Sequence, residues 1–285
     1  MSTQKKYLLL DALRESYPDS SRRTFEGWVK AQRVYIGDRV ARHLNEEVGE
    51  AKVSLGKKPL ADMGALRVLF HDSDLIVIDK PAGLLSVKSD TGKERTAHDM
   101  IKAKISGKVF VVHRLDKETS GVMLFALSEM GFKSLKEQFA KRTAGRTYAA
   151  VVCGGPKEDA GRWKSYLLDR ELIVETTKDA KSGRLAIADY TVLERGRSES
   201  FLRVKLQTGR KNQIRVQARE AGCPIVGDKK YGGKGKGRLG LHAARLEFVH
   251  PKTKKRMVFT SDLPRPLLAP FKKKALLCES FRDSL

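Results

Sequence analysis

Val111-Val112-His113-Arg114-Leu115-Asp116-Lys117-Glu118-Thr119-Ser120-Gly121-Val122-Met123-Leu124-Phe125-Ala126 places two apolar runs on either side of a polar loop. The runs read as extended chain, so Asp116 is presented at a strand-to-strand or strand-to-turn junction. A carboxylate there is suited to chemistry. An aspartate at such a junction also serves simply to hydrogen-bond the backbone of a turn. These sixteen residues alone leave both readings open.

Moving upstream, Val68-Leu69-Phe70 and Leu75-Ile76-Val77-Ile78 are two short apolar runs around a polar tetrapeptide, His71 to Asp74, and predict a hairpin. Lys80-Pro81-Ala82-Gly83 reads as a turn, and Thr96 as the cap of a helix through Ile101 and Ile105. Downstream, Ser128 precedes a helical stripe of Met130, Phe132, Leu135 and Phe139. Strands are predicted at 147–153, 165–174, 184–193, 201–207, 244–249 and 256–260. Strands outnumber helices and seldom alternate with them, which indicates an α+β fold built on a mixed, mostly antiparallel sheet.

The N-terminal segment has a different pattern. Residues 7–17 predict a short helix stopped by Pro18, and Asp19, Ser20 and Ser21 offer caps for a second helix carrying Phe25, Trp28 and Val29. Val34-Tyr35-Ile36, Gly37-Asp38 and Arg39-Val40 then read as strand, turn and returning strand. This helix–helix–hairpin unit resembles the small RNA-binding domain of the ribosomal protein S-four type, and the resemblance implies that Arg22, Arg23 and Lys30 meet RNA phosphates. The alternative is a small module that merely packs on the main body. The expected organisation is an RNA-binding domain at 1–58, a linker at 59–65 and a catalytic domain at 66–285.

Composition narrows the partners. With 57 Lys+Arg against 34 Asp+Glu the chain carries a net +23, far more than solubility needs and suited to a polyanion such as structured RNA. Within 201–260 sixteen basic residues face three acids, Glu220, Asp228 and Glu247. Cys153, Cys223 and Cys278 form no C-x-x-C pair, which fits neither a disulfide framework nor a zinc site and suggests a reducing, cytoplasmic setting. No metal is expected. The apolar stretch after the N-terminal lysines is too short for a signal peptide, and no apolar run could span a bilayer.

His113-Arg114-Leu115-Asp116-Lys117-Glu118-Thr119-Ser120-Gly121 resembles the central motif of the RluA-type pseudouridine synthases. Three further segments match in chain order: 69–84 including Lys80-Pro81-Ala82-Gly83, Arg146-Thr147-Tyr148-Ala149-Ala150-Val151, and Thr208-Gly209-Arg210-Lys211-Asn212-Gln213-Ile214-Arg215-Val216. Pro224 to Asp228 and Leu241-His242-Ala243 complete the pattern. The resemblance implies isomerisation of uridine in a structured RNA, ribosomal RNA ahead of transfer RNA, by a monomer that uses no cofactor. It makes Asp116 the nucleophile, Tyr148 the ring that stacks on uracil and handles the C5 proton, and Arg215 the partner that keeps Asp116 ionised. Arg114, Arg210 and Gln213 are expected on RNA, Arg114 gripping the backbone or filling the gap left by a flipped base.

The residues also admit blander readings. Tyr148 could be a cross-strand aromatic, and Arg215, off the Ile214–Ala218–Ala221 stripe, a solvated helix arginine. Lys211, Asn212 and Gln217 depart from the residues common in the family, which bears on substrate choice more than on catalysis. Gly235-Lys236-Gly237-Arg238-Leu239-Gly240 satisfies G-x-G-x-x-G but lacks the strand and helix that would make it a dinucleotide site, and reads as a flexible phosphate-contacting loop. A non-catalytic RNA-binding protein with this fold is the main rival. An RNA methyltransferase would need a glycine-rich cofactor loop after an early strand, and none is present.

Overall fold

The computed structural model describes residues 7–281 except 31–32, 38, 50, 57–65, 89–91, 93, 172 and 236. The expected linker at 59–65, Asp38 of the N-terminal motif and Lys236 of the glycine loop lie outside the described residues. Near the N-terminus, α1 (Leu9–Ser16) and α2 (Arg22–Lys30) pack on β1 (Val34–Ile36), β2 (Arg39–Val40) and β3 (Val53–Leu55). Ser21 caps α2, its Oγ accepting the Thr24 amide at 3.1 Å. The expected hairpin is in fact a three-stranded antiparallel sheet, because β3 pairs with the free edge of β1. Gly49 and Gly56 bracket β3, but its three residues are too short a run to show a strand's alternation. Leu9, Leu13, Phe25, Val34 and Ile36 form a separate core here.

The remaining elements, in chain order, are β4 (Arg67–His71), β5 (Leu75–Lys80), α3 (Ala97–Lys102), β6 (Phe110–Val111), β7 (Ser120–Ala126), α4 (Glu129–Ala140), β8 (Gly145–Cys153), β9 (Ala160–Arg170), β10 (Ile173–Thr177), β11 (Arg184–Arg195), β12 (Glu199–Leu206), α5 (Gln213–Glu220), β13 (Leu241–Val249), β14 (Arg256–Thr260), α6 (Arg265–Leu268) and α7 (Lys274–Glu279). Among the described residues their strands form one eleven-stranded sheet, its main path running β10-β9-β11-β12-β8-β13-β7-β5-β4. Its pairings are antiparallel except β13 with β7, which run parallel. The mixed, mostly antiparallel α+β architecture is therefore the observed one.

Strand alternation explains how both faces of this sheet come to be covered. On β5, Ile76 and Ile78 enter one core while Leu75 and Val77 enter another; on β7, Met123 and Phe125 divide from Val122 and Leu124 in the same way. This is why these strands are continuous apolar runs rather than alternating ones. Two of the helices are capped as their sequences demand: Thr96 and Asp99 form a capping box on α3, and Ser128 caps α4. α3 stops at Lys102, short of the expected Ile105.

One expectation on the sheet is corrected. The single strand predicted at 165–174 is a hairpin of two, β9 and β10, paired from Ile173↔Arg170 outward. Its turn uses Glu171 at φ +37° instead of a glycine, so the usual punctuation was missing. Among the described residues no helix is long and apolar enough to cross a membrane.

Candidate active site

Asp116 lies in the loop between β6 and β7, and the segment after β5 holds that loop in place. Lys80, without solvent exposure, donates from Nζ to the carbonyls of Pro81, Leu84 and Lys117 at 2.9, 2.7 and 3.1 Å. Ser86 Oγ donates to the Leu115 carbonyl at 2.7 Å and accepts the Leu115 amide at 3.1 Å. The Gly83 amide closes on the Lys117 carbonyl at 2.9 Å. Burial drives the Lys80 pKa down to about 8, against the opposing pull of Glu118 and Asp116. Gly121 ends the loop at φ +114°, and a Cβ there would collide with the Ala243 backbone of β13. Only glycine lets β7 approach β13 so closely.

The second wall comes from β8. Tyr148 is 8% exposed, and burial first, then the charge of Asp116, pushes its phenol up to about 12, with Arg146 opposing. The phenol is therefore neutral near pH 7. Asp116, Arg146 and Tyr148 line an open cleft of about 470 Å³ together with Arg114, Lys136, Phe139, Arg142, Arg210 and Lys211. Asp116 is the one acid among its described lining residues, and it faces six basic ones. Such a cleft concentrates field lines and attracts an anionic ligand.

Arg215 approaches from α5. Its Nη1 lies 3.4 Å from Asp116 Oδ2, while Nε and Nη2 donate to Asp228 at 2.7 and 2.8 Å. The Asp228 side chain has no solvent exposure and also accepts the amides of Lys230 and Tyr231 at 3.1 Å. The Tyr231 ring lies beneath the guanidinium, its centroid 5.0 Å from Cζ. Asn212, at φ +53°, accepts from Arg215 Nη1 at 3.3 Å and donates to Tyr231 Oη at 3.0 Å. Burial works to lower the Arg215 pKa, but the Asp228 hydrogen bonds and charge, with Asp116, leave it above its ordinary value. The arginine is thus no solvated surface residue, although the helical stripe suggested that alternative. α5 buries Gln213, Ile214, Val216, Gln217 and Ala218, so it is covered around most of its circumference.

The structure brings Asp116 and Arg215 into contact and sets Tyr148 in the same cleft as Asp116. Arg114 and Arg210 also line that cleft. Gln213 does not serve as expected. It is 3% exposed, its Oε1 accepting from Thr208 Oγ1 and the Arg210 amide and its Nε2 donating to the Ile187 carbonyl and Gln217. With its hydrogen bonds committed inside the fold it braces the 208–210 turn and has nothing left for RNA. Arg22, Arg23 and Lys30 are exposed on α2, Arg22 paired with Glu26, and they do not border the cleft. The glycine loop is also corrected. Arg238 turns inward to give Nη2 to Ser120 Oγ at 2.6 Å and to the Leu241 carbonyl at 3.3 Å, so it is a brace for the start of β7 and not a phosphate contact.

Four residues that shape the site were assigned no role from the sequence: Lys80, Ser86, Asp228 and Tyr231. Asp228 and Lys80 stood inside matching segments, and a charged residue beside an apolar run was the available signal. Tyr231 and Ser86 carried none.

Residues 74–220 match the family model described as RNA pseudouridylate synthase. The chain is 32% identical to a ribosomal large subunit pseudouridine synthase D of Pseudomonas aeruginosa, the match covering 88% of this chain and 87% of that one. It is 30% identical to an uncharacterized RNA pseudouridine synthase of Bacillus subtilis over 90% and 88% of the two chains. Human RNA pseudouridylate synthase domain containing 1 shares the fold at a TM-score of 0.62 and 21% identity, with 80% of this chain and 98% of that one covered.

Proposed function

The chain belongs to the RNA pseudouridylate synthase family, of the RluA type, and from that premise we propose that it converts uridine to pseudouridine in ribosomal RNA with Asp116 as nucleophile. Its activity is that of an RNA pseudouridine synthase, an isomerase. The reaction detaches uracil at N1, turns the held base, rejoins it to the sugar through C5 and releases the C5 proton. No net oxidation and no group donor enter that balance.

The observation that carries the assignment is the carboxylate of Asp116, the one acid among the described residues of a cleft of cations, touched by Arg215 and sharing the cleft with Tyr148. Arg215 aims the carboxylate through its contact with Oδ2 at 3.4 Å. Attack at the sugar C1′, assistance to a glycal route and attack on the ring all use the same group in the same place. Tyr148 stacks on the base and, as a neutral phenol, stands ready to handle the C5 proton. Arg114, exposed at the cleft rim, meets the backbone of the flipped nucleotide. One chain supplies all of these groups, which supports action as a monomer.

Residues 1–58 serve as a separate RNA-binding domain. Their support is an own core, an own sheet, and the exposed cations Arg22, Arg23 and Lys30. Ribosomal RNA is favoured over transfer RNA by this module and by the names of relatives such as the Pseudomonas enzyme. Ribosomal RNA also implies work in the cytoplasm. The deciding experiment maps pseudouridine in total RNA from strains with and without the gene, and repeats the conversion on a large-subunit transcript with purified protein and no added cofactor. A site lost from ribosomal RNA and restored on the transcript supports the reading; losses confined to transfer RNA overturn the substrate.

A further inference from the structure

Arg146 is, among the described residues, a cation without a counter-ion. Among the described residues its guanidinium has neither hydrogen-bond nor ion-pair partner, although its Nε is shut off from solvent. A buried charged donor left unmet is costly, so such groups usually have a ligand or a partner. Burial, and then the charge of Arg210, lowers its pKa, with Tyr148 opposing. The side chain is nevertheless held in a defined place. Its Cζ lies 5.5 Å from the centre of the Phe139 ring, which is itself stacked on His113 at 4.7 Å.

Gly209 completes the seat. Its φ lies outside the left-handed range, so its backbone does not demand glycine, yet a Cβ there would collide with Arg146 Nη1. The bare position lets the guanidinium lie against the 208–210 turn. Arg146 and Tyr148 are two apart on β8, so their side chains project from the same face. Both reach the cleft that holds Asp116. The distance along that face, about 7 Å by strand geometry, is comparable to the separation of a base from its own backbone phosphate.

We propose that Arg146 grips the phosphodiester adjoining the target uridine while Tyr148 holds its base, with Gly209 kept small to leave the guanidinium in place. A planar guanidinium suits a phosphate's paired oxygens, and this one is preorganised and unspent. The proposal rests on the reading that the cleft receives a uridine of RNA.

The test measures binding of the full chain to a single-stranded RNA nonamer with one uridine, in three forms: unmodified, or with a neutral methylphosphonate on the 5′ or the 3′ side of that uridine. One of the two neutral linkages should weaken wild-type binding about tenfold. Arg146→Met should weaken binding of the unmodified nonamer by a similar factor and abolish the response to that linkage. Its plot of log K against log salt should be shallower by roughly 0.7, the value for one phosphate on a single strand. Gly209→Ala, which keeps the charge but displaces it, should behave likewise with an unchanged melting temperature, and Arg146→Lys should fall between. A wild-type protein indifferent to both linkages overturns the proposal. So does an Arg146→Met variant that keeps the wild-type response, since the arginine then acts only through its packing on Phe139. Binding is read without turnover, so the absence of pseudouridine formation on ribosomal RNA would count against the proposed function and leave this result standing on its own.

Discussion

Arg215 is anchored to Asp228 through two of its nitrogens, at 2.7 and 2.8 Å, and offers only the remaining one to Asp116, at 3.4 Å. The bidentate partner is therefore a fully buried carboxylate behind the site, and the contact with the proposed nucleophile is a single, longer one. The arrangement aims the arginine before substrate arrives and leaves one oxygen of Asp116 less encumbered.

It follows that Asp228 governs both stability and turnover. Asp228→Asn leaves Arg215 with only its single 3.4 Å contact to Asp116 for compensation, and breaking a buried pair of this kind costs up to about 3–5 kcal/mol. Arg215→Met should cost a comparable amount, and the double variant less than the sum, because the two share one interaction. Arg215→Lys keeps the charge without the two-pronged geometry and should restore activity only in part. Urea midpoints and single-turnover rates of the four variants check this; near-normal turnover in Arg215→Met would remove Arg215 from the site.

Asp116→Asn should abolish product while changing RNA affinity no more than a few-fold. The amide preserves the shape of a partly exposed side chain and removes the charge that attacks. Stability should be nearly unchanged, because Lys80 and Ser86 hold the loop through its backbone and not through Asp116. Appreciable turnover, with deamidation excluded by mass, sinks the assignment of the nucleophile.

Much of this was legible in sequence because local rules and the fold agreed. The caps at Ser21, Thr96 and Ser128, and the strands around Asp116, are short-range features, and they appear where the residues place them. What stayed hidden depends on contacts remote in the chain. Asp228 meets Arg215 from 13 residues away and Arg238 meets Ser120 from 118. Gln213, expected on RNA, is accounted for by partners near in the chain, Thr208 and Gln217, and by one remote one, the Ile187 carbonyl. Strand β3 escaped because three residues are too few to show a pattern, and the turn at Glu171 because Glu171 stands at φ +37° where a glycine is usual.

Removal of residues 1–58 should leave a folded catalytic domain, because the cores beneath Asp116 and Tyr148 draw on residues from Leu66 onward. Binding to large folded RNA should weaken, and the slope of log K against log salt should become shallower by roughly 0.7–0.9 for each phosphate that the module neutralises. Tyr35 also packs edge-on against Phe70, ring centres 6.4 Å apart, so a modest fall in melting temperature is expected on its removal. Unchanged affinity and an unchanged slope would mean that the module does not bind this RNA.

His113 makes the fold sensitive to acid. Its Nε2 accepts the Leu124 amide at 3.1 Å, which requires the neutral ring, and its face stacks on Phe139. Burial, reinforced by the charges of Arg146 and Lys136, pushes its pKa from 6.5 down to about 3. Between those values the unfolded chain binds a proton that the folded chain refuses, so stability declines as pH falls from about 6.5 and the loss levels off below about 3. By pH 5 the loss from this one group is at most about 2 kcal/mol, 1.5 units at roughly 1.4 kcal/mol each. His113→Gln can still offer an acceptor to Leu124 but does not titrate. It should be less stable than wild type at pH 7, having lost the ring stack, yet lose less on going to pH 5. Other groups, among them His242 with its pKa held at about 4, will keep some acid sensitivity in the variant. Urea midpoints at the two pH values decide the matter. Equal losses in both proteins would show that the His113 ring accepts its proton without disturbing the fold.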